Sequence, residues 1–287
     1  MAIVRTLYES PILRIGDFHC RGGDPRWRAC NSIGEGHHLV FPRTAVFIAH
    51  EGGDPVLADP SVAVVYRSHE RYRRAIADPA GDHCVWVVLS AEPAPSPERL
   101  GGAWPTVRFV RTGRRAYATQ ALIAWTLARG GPIDPLVVEE EMQGVVADAF
   151  GHVAETPPPK ARIASCDEAV EQVRVILATR YAERLSLGAV AREVHVSPFH
   201  LTRRFRARTG RSLHQYRNEI RLRRSLQLVC DGFRGDIGHA AAAVGYSSHS
   251  HFCTSFRRAF GLPPSRLCRS TDAELRKNLK AIAAHQP

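Results

Sequence analysis

The sequence lacks the segments that place a protein in or across a membrane. None of its apolar runs approaches the roughly 18 residues that a spanning helix needs, and the longest, CVWVVLSA, has the length of a strand. The N-terminus also lacks the basic start, long apolar run and small-residue cleavage site of a signal peptide. We therefore expect a cytoplasmic protein with no membrane contact.

Paired cysteines and catalytic fingerprints are missing as well. The chain contains seven cysteines, an odd number, and none are spaced as Cys-x-x-Cys, which argues against a disulfide framework or a zinc ribbon. There is no Gly-x-Ser-x-Gly motif, phosphate-binding loop or dinucleotide fingerprint. We expect reduced thiols, no cofactor and no enzymatic activity.

Lysine is almost absent, and arginine carries the positive charge. Only three of the 39 Lys and Arg residues are lysines. Residues 1–162 hold 18 basic and 18 acidic residues, whereas residues 163–287 hold 21 basic and 10 acidic. A solvated basic face would account for this asymmetry. A polyanion partner for the C-terminal part would account for it too, and guanidinium groups suit bidentate contacts to phosphate and guanine.

Hydrophobic patterning divides the chain into a strand-rich part and a helical remainder. Residues 11–111 contain short candidate strands separated by Gly, Asp and Pro turns, which predicts an antiparallel barrel or sandwich. The best candidates are ILRIGDF, HHLVF, AVFIAH, VAVVYR, CVWVVLS and TVRFVR. Helices are predicted over 114–130 and 134–151, and then near 166–181, 187–194, 198–208, 212–229, 236–243, 249–260 and 271–284.

An apolar stripe and a proline run mark the end of the first part. The stripe has the 4-3-4 spacing of a helix–helix seam and consists of Val138, Met142, Val145 and Ala149. It predicts either packing within its own domain or the contact of a homodimer. Three successive prolines in ETPPPKA form a stiff spacer where the charge balance changes. We place a linker at 155–162, between domains of residues 1–154 and 163–287.

Two segments of the second part repeat one another. The first is LGAVAREVHVSPFHLTRRFRARTG from Leu187, and the second is IGHAAAAVGYSSHSHFCTSFRRAFG from Ile237. Ala191, Val194, Ser197, Leu201, Phe205 and Gly210 correspond to Ala241, Val244, Ser247, Phe252, Phe256 and Gly261, with one extra residue in the second copy. Each unit is predicted to be a helix, a tight turn and a second helix.

The residue types within the first unit match this plan. Ser197 is predicted as an N-cap with Pro198 at the first helical position, and Gly210 as a left-handed helix end. Leu201 and Phe205 predict a buried face. The opposite face carries Phe199, Thr202, Arg203 and Arg206. This is the helix-turn-helix arrangement, whose second helix enters the DNA major groove. The intervening helix would span ~27 Å, a little under the ~34 Å turn of DNA, so it could set two such helices about one turn apart.

Several further motifs accompany the two units. They are Gly210-x-Ser212-x-x-x-Tyr216-x-x-x-x-Arg221, the turn Gly245-Tyr246-Ser247, and the close Phe256-Arg257-Arg258-x-Phe260-Gly261-x-x-Pro264-Ser265-x-x-x-Arg269. With them, residues 166–270 resemble the DNA-binding domain of the AraC/XylS family of bacterial transcription regulators. One departure is His195, where the family often has glycine, and histidine tolerates left-handed backbone better than most residues.

The resemblance implies a sequence-specific regulator with double-stranded DNA and RNA polymerase as partners. The implied base-contacting residues are Phe199, Thr202 and Arg203 in the first unit and His249, Ser250, His251 and Thr254 in the second. The implied phosphate contacts are Arg206, Arg257 and Arg258. Because the second set has no long bidentate donor, we expect weaker direct readout there.

The resemblance also implies an α+β fold, with an N-terminal cupin-like β-barrel and two helices before an all-α domain. In the family such a barrel often holds a small effector, and the helices often form a dimer. Pocket candidates are Arg43, Tyr66, His83 and Trp86, since binding barrels combine a few polar groups with an aromatic lining. No metal is expected, because the adjacent His37 and His38 point to opposite faces of a strand.

Two functions stay open at this point. One is an effector-responsive transcription regulator. The other is a redox or metal sensor that acts through the thiols of Cys20, Cys30 or Cys84 and still binds DNA.

Overall fold

The strands of the first part are short and antiparallel. The computed structural model describes residues 2–27, 29–89, 107–155, 168–230, 236–267 and 272–285. Its strands are β1 Ile3–Glu9, β2 Leu13–Cys20, β3 Asn31–Ser32, β4 His37–Pro42, β5 Val46–His50, β6 Val56–Ala58, β7 Val62–Tyr66, β8 Arg71–Ile76, β9 Asp82–Leu89 and β10 Phe109–Arg111. The six predicted strands are confirmed, whereas the sequence pattern does not reveal β1, β3, β6 and β8.

Two sheets face one another. The larger has the order β1-β2-β9-β4-β7-β10 and the smaller the order β3-β8-β5-β6. Side chains alternate along the strands, so Val64 and Tyr66 of the large sheet meet Val46 and Ile48 of the small sheet. The other face of the large sheet packs against two helices, α1 Arg114–Ala128 and α2 Pro135–Glu155. The predicted α+β class, with two antiparallel sheets followed by helices, is confirmed.

The apolar stripe of α2 lies inside the domain. Val138, Met142, Val145 and Ala149 are each at most 3% exposed and belong to the core between the large sheet and α1. The prediction that this stripe forms a dimer contact is therefore wrong. Its spacing reports an apolar face, and within this chain the sheet and α1 already cover that face.

This packing gives a direct test. Val145→Asp is expected to lower the free energy of unfolding by ~3 kcal/mol or more, because it buries a carboxylate among apolar side chains. Gln143→Asp, on the exposed side of the same helix, should change it by only ~0.5 kcal/mol. Urea denaturation followed by circular dichroism measures both. If Val145→Asp instead dissociated a dimer at unchanged stability, the stripe would be an intersubunit contact after all.

The second part is helical, as predicted. Its helices are α3 Glu168–Thr179, α4 Leu187–Glu193, α5 Pro198–Thr209, α6 Leu213–Cys230, α7 Ile237–Ala243, α8 His249–Phe260, α9 Pro264–Leu267 and α10 Asp272–Ala284. The short α9 is missing from the sequence prediction. From residue 156 the predicted linker lies outside the described residues, so the domain boundaries stay predictions.

The two parts share buried surface. Helix α1 contacts α6, α8 and α10, and the apolar core continues from the large sheet into the C-terminal helices. The small sheet makes a second contact, in which Leu57 of β6 and the nearby Ala45 pack on Ala178 of α3. The strand-rich part and the helical part thus meet at two places, α1 against α6 and the small sheet against α3.

Candidate nucleic-acid interface

The first helix-turn-helix unit consists of α4 and α5 and has the predicted local chemistry. The hydroxyl of Ser197 accepts a hydrogen bond from the His200 amide, with Pro198 at the first helical position. Gly210 ends α5 in the left-handed conformation, at φ 71°. His195 also has a positive φ, 54°, so the expectation that it occupies the family's glycine position in the turn is confirmed.

Helix α5 separates cleanly into a buried and an exposed face. Leu201 and Phe205 are 1% and 0% exposed and pack in one cluster with α3, α4 and α6. Phe199, in contrast, is 72% exposed, although it is the largest apolar side chain of the helix's first turn. Burial of α5 against its own domain therefore leaves a free face that begins with an aromatic ring.

The polar side chains of this free face are available in different ways. Arg203 and Arg206 are exposed, and so is Arg208, which the sequence analysis did not single out although it belongs to the same basic run. The hydroxyl of Thr202 donates to the carbonyls of Pro198 and Phe199, at 3.1 and 2.9 Å. Thr202 can thus offer DNA its methyl group or an oxygen lone pair, but not its proton.

The second unit consists of α7 and α8 and repeats the arrangement with one shift. Ser248, one residue beyond the serine aligned with Ser197, accepts from the His251 amide and caps α8. Phe252 and Phe256 are fully buried. The predicted contact residues His249, Ser250, His251, Thr254, Arg257 and Arg258 are all exposed. The extra residue of the second copy accounts for the displaced cap.

The turn of the second unit requires its glycine. Gly245 has φ 84°, and a Cβ atom at this position would lie 2.3 Å from the carbonyl oxygen of Ala182. The guanidinium group of Arg221 also borders the Cβ position of Gly245, and it donates a hydrogen bond to the Tyr181 carbonyl at 2.7 Å. Arg221 also lies over the ring of Tyr246, which ties the turn to α6.

Comparison with known proteins supports this geometry. A model described as "Helix-turn-helix domain" matches residues 190–270. The activator RhaS of Escherichia fergusonii is 31% identical over 99 residues, which is 34% of this chain and 35% of RhaS. The regulator GlxA of Rhizobium meliloti is 33% identical over 131 residues, 43% of this chain and 40% of GlxA. The C-terminal domain is an AraC-type helix-turn-helix domain.

The similarity is concentrated in this AraC-type domain. The chain spans between a third and a half of the length of the curated relatives that it matches, including 48% of the regulator ArgR of Pseudomonas aeruginosa at 26% identity over 56% of this chain. Among solved structures, ToxT from Vibrio cholerae with bound unsaturated fatty acid matches over 90% of this chain and 95% of ToxT, at 11% identity and a TM-score of 0.37. A TM-score of this size does not by itself establish a shared fold.

Helix α6 connects the two units of the AraC-type domain and also makes polar contacts with the strand-rich part. Arg223, 1% exposed, donates to the carbonyls of Pro60 and Thr112 at 2.6 and 2.5 Å. It also donates to the carboxylate of Glu219 at 2.8 Å, and Arg114 of α1 reaches the other carboxylate oxygen at 2.8 Å. Burial alone would raise the pKa of Glu219, but Arg223 and Arg114 outweigh it and hold that pKa at about 2.

Two further polar contacts join α6 to the sheets. Tyr216 donates to the buried carboxylate of Asp59, which also lies 3.5 Å from the guanidinium group of Arg174 on α3. Near the other end of α6, Gln227 bonds to Nδ1 of His83, whose Nε2 bonds to Asp17 at 2.9 Å. None of these partners is visible in the spacing of the sequence, because they are far apart along the chain.

The four predicted pocket residues do not lie together. Tyr66 and Trp86 line a cavity of about 320 Å³ between the two sheets. Arg43 and His83 are not among its lining residues, so this cavity brings together only two of the four pocket candidates. His83 follows Asp82 along β9, and strand alternation turns it to the opposite face, toward α6. Arg43 directly follows the end of β4, and its main-chain carbonyl accepts a hydrogen bond from Arg224.

Among the described residues, no group of three or more His, Cys, Asp or Glu side chains has an arrangement that could hold a metal ion. No described helix has the length and apolar character needed to cross a membrane.

Proposed function

We propose that this protein is a sequence-specific DNA-binding transcription regulator that responds to a small effector. The observation that carries the proposal is the pair of exposed, capped helices α5 and α8, each the second helix of a helix-turn-helix unit. Their buried faces are filled by Leu201, Phe205, Phe252 and Phe256, so the polar residues of both helices are free to meet a partner. Relatives matched over this domain carry the names of transcription regulators.

In the proposed complex α5 reads bases directly. Arg203 lies early in the helix and opposite its buried face, where a guanidinium group can form two hydrogen bonds with guanine O6 and N7. Phe199 precedes it by one turn and offers an apolar surface for a thymine methyl group. Arg206 lies one turn beyond Arg203, where the helix leaves the floor of the groove, and is assigned to phosphate.

Helix α8 contributes less direct readout in this proposal. Its first turn presents His249, Ser250 and His251, which lack the long bidentate geometry of arginine. Arg257 and Arg258 in its last turn are exposed and are assigned to phosphates. The second unit therefore adds affinity more than base preference.

The two arginines of α5 separate base reading from phosphate binding. Arg203→Ala should relax the preference at one base position by about 1–3 kcal/mol of discrimination. Arg206→Ala should weaken binding to all sequences about equally and reduce the salt slope by about 1. Binding of the full chain to a library of single-base operator variants measures both effects. Both side chains are exposed, so the unfolding midpoints should match wild type and serve as the control. A uniform loss of affinity in Arg203→Ala, with base preferences intact, would remove Arg203 from the base-reading set.

Further elements of the proposal rest on the family resemblance. They are RNA polymerase and a second copy of the chain as partners, and a cytoplasmic location. For the effector, support comes from the cavity between the sheets and from the contacts that tie these sheets to α6. The test is selective binding of the full chain to DNA fragments taken from its own promoter region and from a genomic library. If the chain bound none of these fragments selectively, the regulator proposal would fail.

The thiol-sensor alternative receives no support from the three cysteines on which it rests. Cys20 and Cys84 are buried, and burial raises the pKa of the Cys84 thiol, which opposes the reactive thiolate. Cys30 is exposed and is not joined to another cysteine by a disulfide bond. We therefore do not carry this function forward.

A further inference from the structure

The cavity between the sheets is built from aromatic side chains on several sides. Its rings come from four different strands, with Phe18 on β2, Tyr66 on β7, Tyr72 on β8 and Trp86 on β9. The rings of Tyr66 and Tyr72 have centroids 4.8 Å apart, and His38 lies 6.1 Å from Trp86. The aliphatic side chains of Val40, Val46, Ile48 and Val64 complete the apolar lining. Such a lining favours a flat, mostly apolar occupant.

A glycine on the neighbouring strand makes room for one of these rings. Gly16 of β2 is the cross-strand partner of Trp86, and a Cβ atom on Gly16 would lie 1.9 Å from Cζ2 of the indole. The indole thus lies flat on the backbone of β2. A side chain at position 16 would have to displace it, and Trp86 lines the cavity. The volume available to an occupant therefore depends on Gly16.

The charges at the cavity cancel. Arg74 and Asp82 are the two formally charged residues among its lining residues, and they pair at 3.0 Å with both side chains at least 92% buried. Burial lowers the pKa of His38 to about 4, so its ring is neutral at pH 7. An ionic ligand would bring a charge that no free countercharge in this lining could balance, and that is costly in an apolar site.

Unused hydrogen-bond donors remain beside this neutral lining. Within the described residues, the buried Nε of Arg74 has no hydrogen-bond partner, and the hydroxyl groups of Tyr66 and Tyr72, which line the cavity, make no hydrogen bond to another protein group. A carbonyl group on the occupant would accept from such donors. A buried donor without a partner is unfavourable, and a ligand that accepts a hydrogen bond from Nε of Arg74 removes that cost.

We propose that this cavity binds a small, uncharged aromatic molecule with a carbonyl acceptor. An apolar cavity of ~150 Å³ holds benzene, so about 320 Å³ suits a bicyclic ring system with one small substituent. As an effector site the cavity rests on the regulator function proposed above, whereas as a binding site it does not.

Strand β9 connects the cavity to the DNA-binding domain. Asp82 and Cys84 face the cavity, and His83 between them faces α6, where it meets Gln227. An occupant that shifts β9 would thus act on the helix that joins the two helix-turn-helix units. This route makes the cavity an effector site for DNA binding.

Three probes of equal size and different charge test the ligand class. They are indole-3-carboxaldehyde, which is neutral, indole-3-carboxylate, an anion, and 3-(aminomethyl)indole, a cation. Calorimetric titration of the full chain at pH 7.5 should give a dissociation constant in the range of about 10–100 µM for the aldehyde. The two ions should bind at least about tenfold more weakly. Tighter binding of either ion, or no binding of the aldehyde at 1 mM, would overturn the proposal.

Matched variants place the binding in the cavity. Tyr66→Phe keeps the ring and removes a donor, so it should weaken binding of the aldehyde about five- to tenfold. Tyr8→Phe, whose hydroxyl bonds to Glu139 outside the cavity, should leave it unchanged. Gly16→Ala should abolish binding through the displaced indole. Thermal melting checks that each variant is folded. If Gly16→Ala is not folded, Tyr66→Phe alone decides whether the aldehyde binds in the cavity. Equal effects of Tyr66→Phe and Tyr8→Phe would contradict the location.

The same preparation tells this proposal apart from the regulator function. DNA binding is measured by fluorescence anisotropy without ligand. A chain that binds DNA but none of the aldehyde retains the regulator function and loses the ligand class. A chain that binds the aldehyde but no DNA retains the ligand class and loses the regulator function.

Discussion

Arg223→Ala is expected to lower the free energy of unfolding by about 3–5 kcal/mol, although the residue touches neither DNA nor the cavity. The substitution removes three hydrogen bonds at once, to Glu219 and to the carbonyls of Pro60 and Thr112. It leaves both carbonyls without their donor inside the molecule. Glu219, which is 2% exposed, loses one of its two guanidinium partners and keeps only Arg114.

A surface arginine provides the matched control. Arg180 makes ion pairs with Glu183 and Glu193, but all three side chains are more than a third exposed. Arg180→Ala should therefore cost at most ~1 kcal/mol. Urea denaturation of both variants measures the difference. Equal small losses would show that α6 is held to the sheets by apolar packing alone and that the buried arginine adds nothing.

The same contact sets an acid dependence. The pKa of Glu219 lies at about 2 in the folded protein, below its ordinary value of 4.5. Because the pKa of Glu219 is lower in the folded than in the unfolded protein, its ionised carboxylate stabilises the fold at pH values above about 4.5. This stabilisation is lost as the pH falls from about 4.5 to about 2. Because Arg223 contributes to the lowered pKa, Arg223→Ala should lose less stability than wild type across that range.

The helix-turn-helix units could be predicted from sequence because their signals are local. Ser197, Pro198 and Gly210 specify the ends of α5 through backbone chemistry within a few residues, and each has its predicted role. The family's glycine position in the turn is occupied by His195 with the expected positive φ. Caps and left-handed residues act on their own neighbours, so no knowledge of the remaining fold is needed.

The contacts between distant segments could not be predicted in the same way. The stripe of α2 shows that one face is apolar, but spacing does not say that the large sheet covers it. The acceptors of Arg223 are main-chain carbonyls, which every residue has, so sequence carries no mark of them. The edge strand β1 is mostly exposed and β8 is rich in arginine, and neither has the apolar alternation that identifies a half-buried strand.

The cavity falls between these cases. Tyr66 and Trp86 were identifiable as aromatic residues on predicted strands, and both line it. His83 was assigned to the same site from its residue type alone. His83 directly precedes the predicted strand CVWVVLS, and because it belongs to β9, three residues before Trp86, alternation turns it to the face opposite the cavity.

Binding of the full chain to its operator should weaken by about a thousandfold between 50 and 200 mM salt. If both recognition helices engage, roughly six phosphates are neutralised, and each contributes about −0.9 to the slope of log affinity against log salt, which gives a slope near −5. Arg206, Arg257 and Arg258, which are exposed in the last turns of α5 and α8, supply about half of this slope. The full chain is the right material, since α6 and α8 share their core with α1.

Two double variants decide where that slope originates. Replacing Arg257 and Arg258 with alanine should reduce the slope from about −5 to about −3 and weaken all sequences alike, because phosphate contacts carry no base information. Replacing Arg71 and Arg73 removes the same charge from exposed positions on β8, a strand of the small sheet outside the helix-turn-helix units, and should leave the slope unchanged. Fluorescence anisotropy at five salt concentrations measures each slope. If the β8 pair lowered the slope as much as the α8 pair, binding would follow the net charge of the chain, and α8 would have no place in the DNA interface.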